Sequence, residues 1–288
     1  MNTLLDWRSK LQRWCFSWYV PLVIKGIISK PELVPYEDIS RWKGVTFKEG
    51  LPYVSYKNGS SGFNPTTIAQ YGLMASTKFD PKSRAIVFKV AEWLVKNQKP
   101  DGSWTYDFEY ESKQLGFKLE PGWKSAIAQG CSISLLIRAF NLFRDQRYLD
   151  AACRAVAVLF EPVESGGLQR TIDGMVFFEE YPVPHKGTYV LNGFLYAVIA
   201  LYELASVHQH IKSLAYQSAK TGAAILERYA IPGTFYSRYA LVGPVRRVNR
   251  RYQRTHIRLC VLLFLHSGMR EYIRMAYHWS HSWRILIP

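Results

Sequence analysis

From residue 65 onward the apolar residues recur with the spacing of an amphipathic helix, and they do so eight times. The segments run near 65–78, 81–98, 124–144, 146–160, 189–205, 209–229, 253–267 and 269–282. In the second, Ile86, Val87, Val90, Ala91, Leu94 and Val95 mark one face. Tight and longer connections alternate between the segments, which pairs the helices as four αα-hairpins. Curling such hairpins round an axis gives a mainly α chain, an α/α toroid with its loops gathered over one end. Short β-hairpins are expected in those loops, and a short irregular N-terminal segment ahead of them.

Three of the connections carry patterns of their own. Gln98-Lys-Pro-Asp-Gly-Ser-Trp104 places a Pro-Asp-Gly turn after a helix, and Gln98 with Trp104 is expected to clip helix ends. Gly166 to Glu180 reads as a hairpin with Asp173-Gly174 at its tip. Gly233 to Tyr239 reads as a short strand. Residues 1–50 are expected to pack on or near a catalytic domain running from 51 to 288. The stretch Met1 to Lys30 lacks a secretory pattern, because Asp6 precedes an apolar run broken by Pro21 and Lys25. Trp14 to Ile28 is too short and interrupted to span a bilayer, so no transmembrane span is expected and a cytoplasmic location is the default. Peripheral membrane contact through its aromatics is left open, as is a homodimer.

Charge narrows the partners. Thirty-seven Lys and Arg face twenty-two Asp and Glu, a net +15, and the stretch from Arg228 onward holds eleven Arg, no Lys and one acid, Glu271. Such a field captures polyanions, and planar guanidinium suits carboxylate and sulfate groups. Nucleic acid, an anionic membrane and an acidic polysaccharide all fit such a field, but no nucleic-acid-binding motif is present and no nucleic-acid partner is expected. The cysteines Cys15, Cys131, Cys153 and Cys260 are scattered without metal-ligand spacing. Cys131, Cys153 and Cys260 fall in apolar helical patterns and read as small buried hydrophobes.

The usual catalytic motifs are absent: no phosphate-cradling glycine loop, nucleophile elbow, dinucleotide fingerprint or zinc-protease helix. Glu179 and Glu180 are adjacent, and neighbours on a strand face opposite ways, so they cannot flank one glycosidic bond. What recurs is Tyr with Arg or carboxylate: Glu179-Glu-Tyr-Pro182, Tyr236 near Arg238, and Arg250-Arg-Tyr-Gln-Arg-Thr-His256 leading into a helix. A guanidinium beside a phenol stabilises phenolate and lowers its pKa. Such groupings suit proton abstraction from carbon α to a carboxylate, with Arg neutralising the charge that develops.

Six blocks resemble, in order, the C-terminal catalytic domain of the heparosan glucuronyl 5-epimerase family. They are Asn64-Pro-Thr-Thr-Ile-Ala-Gln-Tyr-Gly-Leu73, Pro121-Gly-Trp-Lys-Ser-Ala-Ile-Ala-Gln-Gly130 with the helix after it, Glu179-Glu-Tyr-Pro182, Tyr189-Val-Leu-Asn-Gly-Phe194, Gly233-Thr-Phe-Tyr236 and Thr255-His-Ile257. The resemblance covers roughly residues 60–265 and implies an α/α barrel. It also implies catalytic roles for Glu180 with Tyr181, for Tyr236 and for Tyr252. After Tyr236 this chain has Ser-Arg-Tyr where the family often has Asp-Leu-Arg.

The expected reaction is inversion at carbon 5 of D-glucuronate within a heparosan-like polymer, giving L-iduronate, by proton removal on one face and return on the other. Arg238, Arg250 and Arg251 are candidates for the uronate carboxylate and neighbouring anionic groups. Gln70, Gln129, Asn192 and His256 are candidates for sugar hydroxyls, and Trp123 for stacking on a ring. No metal or redox cofactor is called for, because Arg can stabilise the enediolate. Two alternatives stay open: a polysaccharide lyase, which shares the first proton abstraction and then expels the oxygen on carbon 4, and a non-catalytic polyanion-binding module.

Overall fold

The computed structural model describes residues 39, 42–56, 59–78 and 80–282; the N-terminal lead up to residue 38, with Cys15 and the Trp14–Ile28 stretch, lies outside the described residues. Among those described, eight α-helices form four hairpins: α1 (Pro65–Ala75) with α2 (Pro81–Asn97), α3 (Ala126–Phe143) with α4 (Gln146–Phe160), α5 (Leu191–Ala205) with α6 (Lys212–Ile225), and α7 (Arg250–Ser267) with α8 (Arg270–Ser280). Helices α1, α3, α5 and α7 stand side by side in that order, and each even-numbered helix packs against its hairpin partner. This is an α/α toroid.

Local chemistry sets the helix ends. Asn64 and Asp80 cap α1 and α2 by accepting from the backbone N–H of Thr67 and Ser83, and each is followed by proline at the first helical position. Asn249 caps α7 by accepting from Tyr252 N–H, and Gly268, at φ 73°, ends it in the left-handed region. The inner helices meet closely. A Cβ on Gly130 of α3 would come within 2.8 Å of the α5 backbone at Ala197, so only glycine allows this approach. By length and composition alone α3 could cross a membrane, but 67% of it is buried against its neighbours and its apolarity serves the core.

The connections that lead into α1, α3, α5 and α7 gather at one end of the toroid, the N-terminal end of those helices. Ahead of α1 lies an antiparallel sheet of β1 (Val45–Lys48), β2 (Leu51–Ser55) and β3 (Ser61–Gly62). Ahead of α3 lies the hairpin β4 (Tyr110–Ser112) and β5 (Phe117–Leu119), and ahead of α5 the hairpin β6 (Gln169–Ile172) and β7 (Met175–Phe178). The last of these pairs Ile172 with Met175 across Asp173 and Gly174, both at positive φ as a tight hairpin turn requires. Gln98 donates to the carbonyls of Gly102 and Ala151, and the Trp104 indole donates to Leu94 O, so both side chains clip the end of α2. Cys131 and Cys260 are buried and Cys153 is half-buried.

Three elements differ from the periodicity. Gly233–Tyr239 makes only isolated bridges, Ala230 with Ser237 and Arg238 with Arg247, so it is a bridged loop and not a strand. The helix expected over 209–229 is α-helical only over Lys212–Ile225, with tight 3-10 turns at both ends. Helix α7 begins at Arg250, three residues early, because the Asn249 cap initiates it. Tyr252 therefore sits in a first helical turn and not in a loop.

Candidate functional site

The four inner helices start at the same place, and a cavity of about 270 Å³ opens there. Thr66, Thr67 and Gln70 reach it from the start of α1, Ser125 and Ile127 from α3, Asn192 and Tyr196 from α5, and Arg251, Tyr252 and Thr255 from α7. Each helix start presents the positive end of its dipole. Four of them converging, with the Arg251 guanidinium, make the cavity a place for negative charge. The Arg251 guanidinium lies 3.8 Å over the Trp42 ring, which holds it at the mouth.

One wall is aromatic. Trp123 is stacked on Tyr106 at 3.8 Å and its indole donates to Phe108 O, so one ring face is already covered and the side chain is fixed. Tyr110 stacks on Tyr181 at 5.0 Å. Against this wall stands Glu180, buried below the cavity. Its Oε1 accepts from the Tyr239 hydroxyl at 2.8 Å, the Tyr239 and Tyr181 hydroxyls are 3.2 Å apart, and Tyr181 reaches Tyr110 at 3.3 Å. Its Oε2 has no hydrogen-bond partner within 3.5 Å of suitable geometry, and neither have the buried Asn192 Oδ1 and Ser125 Oγ beside the cavity. A Cβ on Gly193 would sit 2.6 Å from that Oε2, so glycine there lets the start of α5 close onto the carboxylate.

Burial pushes the Glu180 carboxyl up to about 7, against the opposing pull of Tyr239, Tyr181, the Gly193 N–H and Asn192. Burial also raises the phenols, with the Glu180 charge adding to it: Tyr181 and Tyr239 lie well above their ordinary range and Tyr252 is pushed up to about 12. Arg251 pulls Tyr252 the other way but is outweighed. The lowering expected from Tyr beside Arg is therefore not what the folded site produces. The phenols are held protonated, and the group whose pKa lies near neutrality is the carboxyl.

Of the residues singled out in the sequence, Gln70, Trp123, Glu180, Tyr181, Asn192, Arg251 and Tyr252 line the cavity. Gln129 does not: its amide accepts from Trp104 N–H and donates to the carbonyls of Gly102 and Ala155, so both ends hold backbone. His256 is fully buried behind the cavity, 2.8 Å from Ser237 Oγ, and burial pushes its imidazole down to about 3, which keeps it neutral. Tyr236 lies outside, its ring under the Arg247 guanidinium at 5.4 Å. Arg238 donates to Arg228 O, and Arg250 is exposed in the first turn of α7 and does not line the cavity. Sequence reasoning missed Tyr239, Tyr110, Ser125 and the Asn64–Thr67 turn. The available signal was helix capping: Asn64-Pro and the polar residues before α3 mark helix starts, and helix starts are where the site lies.

Comparison with known proteins gives the family and the fold. Residues 98–281 match the profile of the family described as D-glucuronyl C5-epimerase C-terminus. A D-glucuronyl C5-epimerase of Caenorhabditis elegans is 42% identical over 120 residues, covering 42% of this chain and 19% of that protein. An uncharacterized protein of Methanocaldococcus jannaschii is 26% identical over 182 residues, 61% of this chain and 56% of its own. The chain thus spans a fifth to just over half the length of these relatives. In fold it is similar to a cellobiose 2-epimerase of Bacillus thermoamylovorans (TM-score 0.51, 11% identity, 99% of this chain and 73% of that one). It is similar also to an unsaturated glucuronyl hydrolase of Bacillus sp. GL1 (TM-score 0.51, 15% identity, 77% and 62%). With the profile matching well over half its residues, the chain belongs to the D-glucuronyl C5-epimerase C-terminus family.

Proposed function

We propose that this chain inverts carbon 5 of D-glucuronate residues in a heparosan-like acidic polysaccharide, giving L-iduronate. The observation that carries the reading is Glu180: a buried carboxylate near neutral pKa that lines a cavity where four helix N-termini converge, one of its oxygens without a hydrogen-bond partner. The hydrogen on carbon 5 is α to the uronate carboxylate, so removing it makes an enediolate carrying two negative charges. Arg251 and the helix starts stabilise that charge as it grows, which lowers the barrier more than it tightens ground-state binding. Glu180 takes the proton, its pKa matched to neutral pH. A protonated phenol, Tyr252 at the mouth or Tyr181 on the aromatic wall, gives its proton to carbon 5 from the opposite face; the phenolate and the protonated Glu180 are then reset by proton exchange with solvent, and the reverse reaction exchanges the roles. Gln70, Asn192 and Ser125 bind hydroxyls, and Arg250 beside the mouth attracts neighbouring anionic groups.

Incubation with heparosan in deuterated water, read by NMR, tests this. Deuterium should enter carbon 5 and iduronate should appear without shortening of the polymer. An unsaturated uronate and shorter chains would replace the reading by a lyase. Binding that weakens steeply with salt, with no exchange at carbon 5, would replace it by a polyanion-binding module.

A further inference from the structure

Tyr239 is not among the residues that line the cavity, and none of the resemblance blocks contains it. Its backbone is nonetheless built into the site. The Leu191 N–H donates to Tyr239 O at 3.0 Å and Val190 bridges Ala240, so the loop is tied to the start of α5, the helix that closes on Glu180. Its ring packs edge-on against Tyr252 at 5.1 Å, and its hydroxyl ends between Glu180 and Tyr181.

We propose that Tyr239 is a positioning residue that holds Glu180 in its carboxylate form, acting from behind the cavity wall. A phenol has one proton to give. Toward an ionised Glu180 it gives that proton to Oε1, while Tyr181 gives its own to Tyr110. When Glu180 is protonated that bond reverses, Glu180 donating to Tyr239 and Tyr239 to Tyr181, so Glu180 keeps Tyr239 as a partner in both states. The two states differ in strength, because a hydrogen bond to a charge is roughly twice as strong as a neutral one. Tyr239 therefore favours the carboxylate, against burial. The other groups facing Glu180 are Tyr181 on its own segment, Tyr110 on β4, Tyr106 on the loop before α3, Cys131 on α3, Asn192 and the Gly193 N–H on α5, and Tyr252 on α7. Of these, Tyr181, the Gly193 N–H and Asn192 also favour the carboxylate, each less than Tyr239 does. In the third place after Tyr236, where the resembling family often has Arg, this chain uses a neutral donor.

The inference rests on the reading of Glu180 as the proton acceptor only for its consequence in turnover, and the test separates the two. The protein is labelled with carbon-13 at the glutamate carboxyl, and the Glu180 signal is assigned by its loss in Glu180→Gln. In Tyr239→Phe, which removes one oxygen, the Glu180 titration midpoint should rise by about one to two pH units. Tyr181→Phe should shift it less. A midpoint unmoved or lowered in Tyr239→Phe overturns the proposal. With substrate, the acidic limb of the turnover profile should move upward by the same amount. A midpoint that moves while the limb stays upholds Tyr239 as the donor and overturns Glu180 as the base.

Discussion

Glu179 and Glu180 are neighbours in the chain, both buried, and both pushed up to about 7 by burial, yet their surroundings differ. Glu179 accepts from the Thr188 N–H and hydroxyl and from the Tyr189 N–H, with Arg170 at 3.5 Å. Its oxygens are committed to groups that cannot exchange a proton at neutral pH, and it pins the loop that leads into α5. Glu180 faces the other way, accepts from a phenol that can also receive, and has one oxygen without a hydrogen-bond partner. Burial alone does not make a carboxylate reactive. Under the proposed function, the exchangeability of its partners and an oxygen left without one distinguish Glu180 from Glu179.

Replacing each carboxylate should break the comparison cleanly. Glu180→Gln is expected to cost ~10²–10⁴-fold in turnover while leaving the protein folded, and above pH 7 its melting temperature should equal or exceed that of the parent. A variant that keeps near-normal turnover would move the base elsewhere. Glu179→Gln should instead lower stability, by roughly 1–3 kcal/mol, because an amide N–H₂ would face the Thr188 and Tyr189 donors. Denaturant unfolding measures it.

The phenols sharpen the contrast next. Tyr252→Phe, at the mouth, should lose ~10²-fold or more in turnover, whereas Tyr236→Phe, outside the cavity, should stay within a few-fold of normal. Equal losses in both would return Tyr236 to the site. Smaller again is the contrast between arginines. Arg251→Gln should lower turnover at saturating substrate, whereas Arg250→Gln should raise the Michaelis constant and flatten its salt dependence, as screened attraction does.

The smallest effect is on stability against pH. Both folded pKa values lie above the unfolded carboxylate value of ~4.3, so folding favours the protonated forms. Their contribution is fully present below the unfolded value and is lost as pH rises through about 7. Melting temperature should thus decline between about pH 5 and 8, the window in which turnover rises as Glu180 ionises, and Glu180→Gln should flatten part of that decline.

The helices were legible because burying one face of each imposes a 3.6-residue period on the apolar residues, which survives in the sequence as Val87, Val90, Ala91 and Leu94 do on α2. Hairpin β6–β7 was legible because its tip needs two positive φ values, and Asp173-Gly174 announces them. The opposite facing of Glu179 and Glu180 followed from backbone alternation. Tyr236 and Tyr239 could not be told apart this way. They are three residues apart in a loop without a period, and the direction of each side chain depends on Val190 bridging Ala240 and on Arg247 covering Tyr236.

Local rules thus determine in the sequence alone the eight helices, their pairing, the hairpin tip and the excess of guanidinium near the C-terminus. Only the tertiary structure decides that α1, α3, α5 and α7 begin at one point, that Glu180 lies there under protonated phenols, and that Gln129 and His256 serve the packing behind them. Pattern in a chain records what each segment must bury. A pKa and a cavity arise from segments far apart in sequence, and their burial and dipoles sum only once the chain has folded.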